Sequence, residues 1–392
     1  MLRHRAPRPL VRPRARREGA PHRARGAIVS EPGAAEAQRR VLVTGASGFV
    51  GGALLARLRH DPRYDALGIG RRALDLPDYR SLDLAPPRDV TSRAENRSSA
   101  GNMTPRETAG AAELLRGLWG GAAPHVIVHA AARSSPWGTK AEFERENVEA
   151  TRTVLRYAET FEVRPRIVLV STASVLYTAT DQVDAVGDAP ARAPFAGGYA
   201  ASKAAAEEVV RGYDGPWVIL RPRAVFGAGD TALFPRLAAA AQAGRLPRIR
   251  PPRHAPRPLL SDLVHIDTLV EYLVRALETP GIEGATMTVT GGQPVDLQAT
   301  VFRLFERAGI PEPVRTLPRG AVLAAATILE TVWRLARRPG EPPLTRYSVV
   351  AYAFAKTFDG EPLRRMLGEP AVPLAHAIDE FARSLGPTRL GS

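Results

Sequence analysis

Cysteine is absent from all 392 residues, which removes disulfides, thiolate nucleophiles and cysteine metal ligands at once. That absence fits a cytoplasmic protein. Metal-ligand spacing is missing too: the eight histidines contain no H-E-x-x-H or similar pattern. His125 and His129 lie four apart but flank a Val-Ile-Val strand, which favours a core or loop role, so no metal is expected. Acidic residues are few, 40 against 54 Lys and Arg, for a net charge of +14. Residues 1–40 hold eleven Arg and three Glu, so +8 of that charge sits in one Pro/Arg/Ala-rich segment. The segment has almost no aliphatic periodicity and cannot bury enough surface to order itself, so residues 1–39 are expected to be a disordered basic tail. It also lacks the apolar stretch of a secretory signal. With the excess charge terminal and no recognition motif elsewhere, no specific nucleic-acid partner is expected.

What the chain does contain is 44% hydrophobic residues, enough for one large core and a smaller one. Strands and helices alternate from Arg40 to Gly227. Short aliphatic runs predict strands at Val41–Thr44, Ala66–Gly70, Arg80–Leu82, Val126–Ala130, Ile167–Ser171 and Trp217–Arg221. Such alternation describes an α/β fold with a doubly wound parallel sheet. The polar stretch 86–110 reads as a surface insertion before a helix at Ala111–Trp119. Beyond Gly227 strict alternation ends and proline increases, as in a smaller C-terminal lobe over 228–392. Met287-Thr-Val-Thr-Gly-Gly-Gln-Pro-Val reads as a strand and turn leading into a helix at Leu297–Ala308.

Two motifs carry chemistry. Val41-Leu-Val-Thr-Gly45-Ala-Ser-Gly48-Phe-Val-Gly51 places glycines in a strand-to-helix turn, where the missing Cβ lets backbone approach a pyrophosphate at a helix N-terminus. Downstream, Tyr199-Ala-Ala-Ser-Lys203 puts a phenol and an ammonium one turn apart on a helix face. A phenol of pKa about 10 is a poor base at neutral pH, and a cation beside it favours the phenolate. Tyr199 can then serve as general acid or base. A dinucleotide held upstream of such a group implies hydride chemistry.

With these motifs the chain resembles the extended short-chain dehydrogenases/reductases, the NAD-dependent epimerase/dehydratase superfamily, from Arg40 to Leu385. Further segments match in order: His129-Ala-Ala-Ala, Asn147-Val-Glu-Ala-Thr, Val170-Ser-Thr-Ala-Ser-Val, Leu220-Arg-Pro-Arg-Ala-Val-Phe-Gly and Leu263-Val-His-Ile-Asp. The resemblance implies a Rossmann-type NAD(P)-binding domain over 40–227 and a mainly substrate-binding lobe over 228–392 that partly returns to it. It implies Tyr199 as catalytic acid/base and Lys203 as the group that lowers its pKa and holds the nicotinamide ribose. Thr172 is implied as the hydroxyl that orients the reacting oxygen, with Ser174 as the alternative. Asn147 is implied as a support of the site or as ordinary helix polarity. Implied cofactor contacts are Gly45, Ser47, Gly48, Phe49, Val50, Asp83, Leu84, His129, Ala130, Ala131, Pro222 and Val225, besides Tyr199 and Lys203. A homodimer is the family's usual assembly.

Cofactor choice turns on the end of the second strand, where a carboxylate would repel a 2′-phosphate. Gly68-Ile-Gly-Arg71-Arg72 offers two guanidiniums instead, whose charge and fork suit a phosphate. NADP(H) is therefore expected over NAD(H). The segments Glu341–Val349, Phe358-Asp359 and Leu363–Pro370 resemble the 3β-hydroxysteroid dehydrogenase branch, which implies a sterol-like or long-chain β-hydroxy or β-keto substrate. Nucleotide-sugar epimerases share the core motifs, and the basic loop Arg245–Arg257 would suit a diphosphate. A non-catalytic cofactor sensor would need neither Tyr199 nor Lys203. The mostly apolar stretch Ala321–Ala336 is too short, and too interrupted by Glu330, for the about 20 apolar residues of a bilayer span. It fits a helix packed on the protein, or an interfacial helix with Trp333 and the Arg337-Arg338 pair at a lipid boundary, giving peripheral membrane contact.

Overall fold

Short aliphatic runs, buried on both sides, build the centre of the molecule. The computed structural model describes residues 38–85, 111 and 114–385. The tail over 1–37, the insertion over 86–110 and residues 386–392 lie outside that description. Seven strands pair in parallel: β1 (Arg39–Thr44), β2 (Tyr64–Gly70), β3 (Tyr79–Ser81), β4 (Val126–His129), β5 (Arg166–Val170), β6 (Trp217–Pro222) and β7 (Thr286–Val289). Their spatial order is β7-β6-β5-β4-β1-β2-β3. Strand order reverses between β1 and β4, and in such a Rossmann-type sheet ligands bind outside the carboxyl ends at that point.

Alternation along each strand divides the core into two layers. Val41, Val43, Val128 and Val168 face Leu54 and Leu58 of the helix Phe49–Arg59, together with Leu269 and Leu273 of Ile266–Glu278. Leu42, Ile127, Ile167 and Ile219 face Val154 and Tyr157 of Ala150–Ala158 and Val210 of Gly198–Arg211. Each strand expected from the sequence is present within two residues of its bounds. The seventh, β7, comes from the C-terminal half and brings Met287-Thr-Val back beside β6. The helix expected over Ala111–Trp119 is cut short: residues 114–116 are helical, and Trp119 and Gly120 then take φ of 48° and 62° in a 3-10 turn, Leu118–Gly121.

The C-terminal region has its own apolar packing. Phe226, Phe234, Phe305 and Phe381 form one cluster. In another, Val322 and Ala326 of the helix Arg319–Leu335 meet Val349 and Val350 of Arg346–Ala353. Among the described residues no helix is long and apolar enough to cross a membrane.

The helix bearing Tyr199 is tied to the sheet by a buried ion pair. Arg221 on β6 donates from Nε and Nη2 to the two Glu207 oxygens at 2.9 and 2.6 Å, and both side chains are fully buried. Ser171 Oγ adds a 2.5 Å bond to the same carboxylate, and Arg221 Nη1 reaches the Gly187 and Ala189 carbonyls. Removing Arg221 leaves the buried Glu207 with only Ser171 and the more exposed Arg211, at 3.1 Å; breaking a buried pair costs up to about 3–5 kcal/mol, whereas an apolar pair of similar volume is near neutral. Arg221→Met should therefore destabilise by about that amount in urea unfolding, and adding Glu207→Leu should restore most of the loss.

Candidate active site

The glycine turn is tight for a geometric reason. Gly45 has φ +70°, and a Cβ there would lie 2.6 Å from the Ala131 amide nitrogen; one on Gly51 would lie 2.4 Å from the Gly45 carbonyl. Gly48 caps the helix Phe49–Arg59 with no side-chain bond, and the first turn holds no acid. Helix N–H groups therefore face outward unshielded, as an anion requires. A cleft of about 290 Å³ opens there, lined by Gly45, Ser47, Gly48, Arg71, Arg72, Asp83, Leu84, Ala130 and Ala131 among others. These features fit a dinucleotide: glycine backbone for the pyrophosphate, Asp83 and Leu84 at the adenosine end and arginines at the end of β2.

Phe49 and Val50 open the helix at the cradle, with side chains half-buried against the sheet core, as is that of Val225. Pro222 is buried at the end of β6. His129 is corrected most clearly: it is 1% exposed and points beneath the cradle, not into it. Its Nδ1 lies 2.7 Å from Thr44 Oγ1 and its Nε2 lies 3.0 Å from Thr151 Oγ1. Thr151 gives its one hydroxyl proton to the Asn147 carbonyl at 2.6 Å, so Nε2 must donate and Nδ1 must accept from Thr44. Thr44 Oγ1 in turn accepts from the Ala131 amide at 3.2 Å. Burial, aided by the nearby Lys203 charge, pulls the His129 pKa down to about 3, which keeps the ring neutral and the relay directional.

Asn147 continues the relay to the catalytic helix. It lies in a π-helical stretch, Glu144–Glu149, a geometry that turns side chains away from the α-helical register. Its Oδ1 accepts from the Arg133 amide at 2.6 Å, and its Nδ2 donates to Ser202 Oγ at 2.8 Å. Ser202 donates to the Tyr199 carbonyl at 2.9 Å. Asn147 therefore supports the site through backbone and helix, without facing the cleft.

Hydroxyls converge on Tyr199. Burial pushes its phenol well above the usual range, and Tyr347, 5.9 Å away edge to face, pushes it the same way; hydrogen bonds with Ser134 and Thr172 draw it back. Thr172 caps the 3-10 turn Ala173–Leu176 and reaches Ser174 Oγ at 3.1 Å, while Ser174 is hydrogen-bonded to Tyr347. Thr172 is thus the hydroxyl beside Tyr199, and Ser174 serves Tyr347. Lys203 is buried on the same helix. Its Nζ donates to the Val170 carbonyl at 2.7 Å. Burial lowers the Lys203 pKa to about 8, against a smaller upward pull from Glu207.

Three participants were missed in the sequence. Ser134 follows the His-Ala-Ala-Ala motif by two residues, and Tyr347 sits in a segment read only as a branch signature. Glu146, 4% exposed, lies 2.7 Å from Arg71, 3.0 Å from Arg145 and 3.5 Å from Arg133. No local pattern marks a carboxylate whose partners come from three segments.

A parallel sheet with an anion cradle at its switch point and a Tyr/Thr/Ser hydroxyl set on Tyr199 defines a dinucleotide-dependent oxidoreductase. Residues 41–289 match the NAD dependent epimerase/dehydratase family, and the chain belongs to it. Over 90% of its length it is 35% identical to a 4-hydroxy-2-methyl-3-oxo-4-farnesyl-3,4-dihydroquinoline-1-oxide ketoreductase of Stigmatella aurantiaca, covering 98% of that protein. It is 27% identical to a 2-alkyl-3-oxoalkanoate reductase of Stenotrophomonas maltophilia, over 84% of this chain and 94% of the relative. A 3β-hydroxysteroid-dehydrogenase/decarboxylase of Arabidopsis thaliana is 26% identical over 92% of this chain and 64% of the relative, in keeping with the branch resemblance. The protein is an NAD(P)-dependent oxidoreductase.

Tyr199→Phe should lower kcat by about 10²- to 10⁴-fold with cofactor affinity nearly unchanged, and Thr172→Val should lower it while Ser174→Ala leaves it near normal. Steady-state kinetics with fluorescence titration of cofactor reads both. A second expectation concerns pH. With its pKa lowered from 10.5 to about 8, Lys203 carries its charge below about pH 8 and loses it as pH rises through that value. The quantity kcat/KM reports the free enzyme, so it should fall above about pH 8, and Lys203→Arg, which stays charged, should lose that limb.

Proposed function

We propose that this chain is an NADPH-dependent ketoreductase that converts the ketone of a lipophilic substrate, such as a long-chain β-keto or sterol-like compound, to a secondary alcohol. The observation that carries this reading is the Tyr199 phenol, kept neutral by burial and held between Thr172 and Ser134. A neutral phenol is the acid form, so Tyr199 Oη gives its proton to the ketone oxygen, and Thr172 and Ser134 hold that oxygen in line. The phenolate left behind accepts hydrogen bonds from the same two hydroxyls. Lys203, on the same helix face, supplies buried positive charge. When bound, the nicotinamide supplies the hydride. Ketone-reducing relatives, one with a farnesyl group and one with an alkyl chain in its substrate's name, support the substrate class.

NADPH rather than NADH is favoured by the cleft's rim. Arg71 and Arg72 line it at the end of β2, and Arg72 makes no side-chain ion pair among the described residues. Arg71 is already aimed by its 2.7 Å bond to Glu146. A planar guanidinium pair suits a phosphate better than a ribose hydroxyl.

Consumption of NADPH and NADH should be followed against 2-alkyl-3-keto acids, 3-ketosteroids and nucleotide sugars. Turnover is expected with the lipophilic ketones, and Arg71→Ser/Arg72→Ser should raise the KM for NADPH by about tenfold or more with little change for NADH. Equal use of both cofactors would overturn the NADPH assignment, and turnover confined to nucleotide sugars would overturn the substrate class.

A further inference from the structure

The helix Arg319–Leu335 turns an uncharged face away from the protein. Arg319, Val322 and Ala326 are buried, and the latter two pack on the helix Arg346–Ala353. Away from that contact, Ala321, Ala325, Ile328, Val332 and Leu335 recur in steps of four and three, which makes one stripe along a helix. Ile328 is 63% exposed and Leu335 81%. Arg334 apart, no exposed position from Gly320 to Leu335 bears a charge. Thr327 and Thr331 turn their hydroxyls onto the Leu323 and Thr327 carbonyls at 2.9 and 2.8 Å, which satisfies them within the helix.

Arginines rim both ends of this stripe. Arg337 and Arg338 follow it directly and are exposed. At the other end the strand Thr316–Pro318 pairs with Arg248–Arg250, which brings exposed Arg250 and Arg315 alongside. The acids nearby in sequence are already taken: Glu312 by Arg248, Glu330 by Arg334 and Glu341 by Arg236.

From this combination we infer that the helix is a docking surface for an anionic phospholipid bilayer, lying in the interface with its stripe among the acyl chains and its arginines on the phosphates. A second copy of the chain fits less well. An antiparallel two-fold contact along the stripe would set the arginines of one copy against those of the other. The inner side of the same helix bears on the active site. Glu330 accepts from the Arg346 amide at 2.8 Å, next to Tyr347, and Arg334 lies 5.2 Å over the Trp137 ring, in the loop that carries Ser134. Docking would seat the catalytic hydroxyls near the bilayer. Delivery of a lipophilic substrate from there rests on the function proposed above, whereas the docking itself does not.

Co-sedimentation of the full chain with phosphatidylcholine vesicles, with and without phosphatidylglycerol, tests the inference. Binding is expected to the anionic vesicles and to fall by about tenfold or more in Ile328→Ser/Val332→Ser/Leu335→Ser, which removes three aliphatic groups from the bilayer. Thermal melting should confirm that this variant is folded. If it is not, Arg337→Glu/Arg338→Glu, outside the helix, should abolish the preference for anionic vesicles. Absence of binding, or binding undiminished in the variants and hence due to the N-terminal arginines, overturns the inference. So does a dimer in light scattering that the serine variant dissolves.

Discussion

The hydrogen-bond relay from the Ala131 amide through Thr44, His129, Thr151, Asn147 and Ser202 to the Tyr199 carbonyl is the constraint on which the site depends. It joins the ends of β1 and β4 to the π-helical stretch and on to the catalytic helix, using hydroxyls and one neutral imidazole in a dry core. The Thr151 hydroxyl is committed to the Asn147 carbonyl, which fixes the direction of the protons on His129 and Thr44. A rigid polar chain of this kind couples cofactor cradle and phenol without a single charge. A protonated His129 would break it, and burial prevents that protonation.

Two buried charge clusters flank the relay, each serving position rather than chemistry. The fully buried Glu207–Arg221 pair fastens the catalytic helix to β6, and Ser171 joins it directly before Thr172. Glu146 gathers Arg71, Arg133 and Arg145 at the wall of the cleft. Arg133 thereby acts twice, through its guanidinium on Glu146 and through its backbone amide on Asn147. The loop that offers Ser134 to Tyr199 is held from both sides.

Much of the fold was readable because its signals are local. Aliphatic runs such as Val41–Thr44 and glycines at fixed steps encode strands and a tight turn within a few residues. The segments that bring Tyr199 and Thr172 together were readable for the same reason. His129 was misread because a polar residue at a strand end resembles a ligand contact, and only the fold shows Thr44 and Thr151 on either side of it. For Lys203, helical spacing gives the face but not the reach, and the bond of its ammonium to a strand carbonyl is seen only in the fold. Ser134, Tyr347 and Glu146 meet the site through contacts across distant segments, which no spacing rule reports.

The π-helical stretch Glu144–Glu149 fixes the length of its segment as well as its shape. Asn147 and Thr151 are both required by the relay, yet a π-turn holds one residue more than an α-turn. Deleting one residue here would relax the stretch to an α-helix and swing one end against the other by about 100°, so that either Asn147 would leave Ser202 or Thr151 would leave His129. Length in this short segment is therefore as restricted as residue identity, and a sequence that kept every motif but lost one position between Glu144 and Glu149 would keep the sheet and disconnect the cradle from its acid.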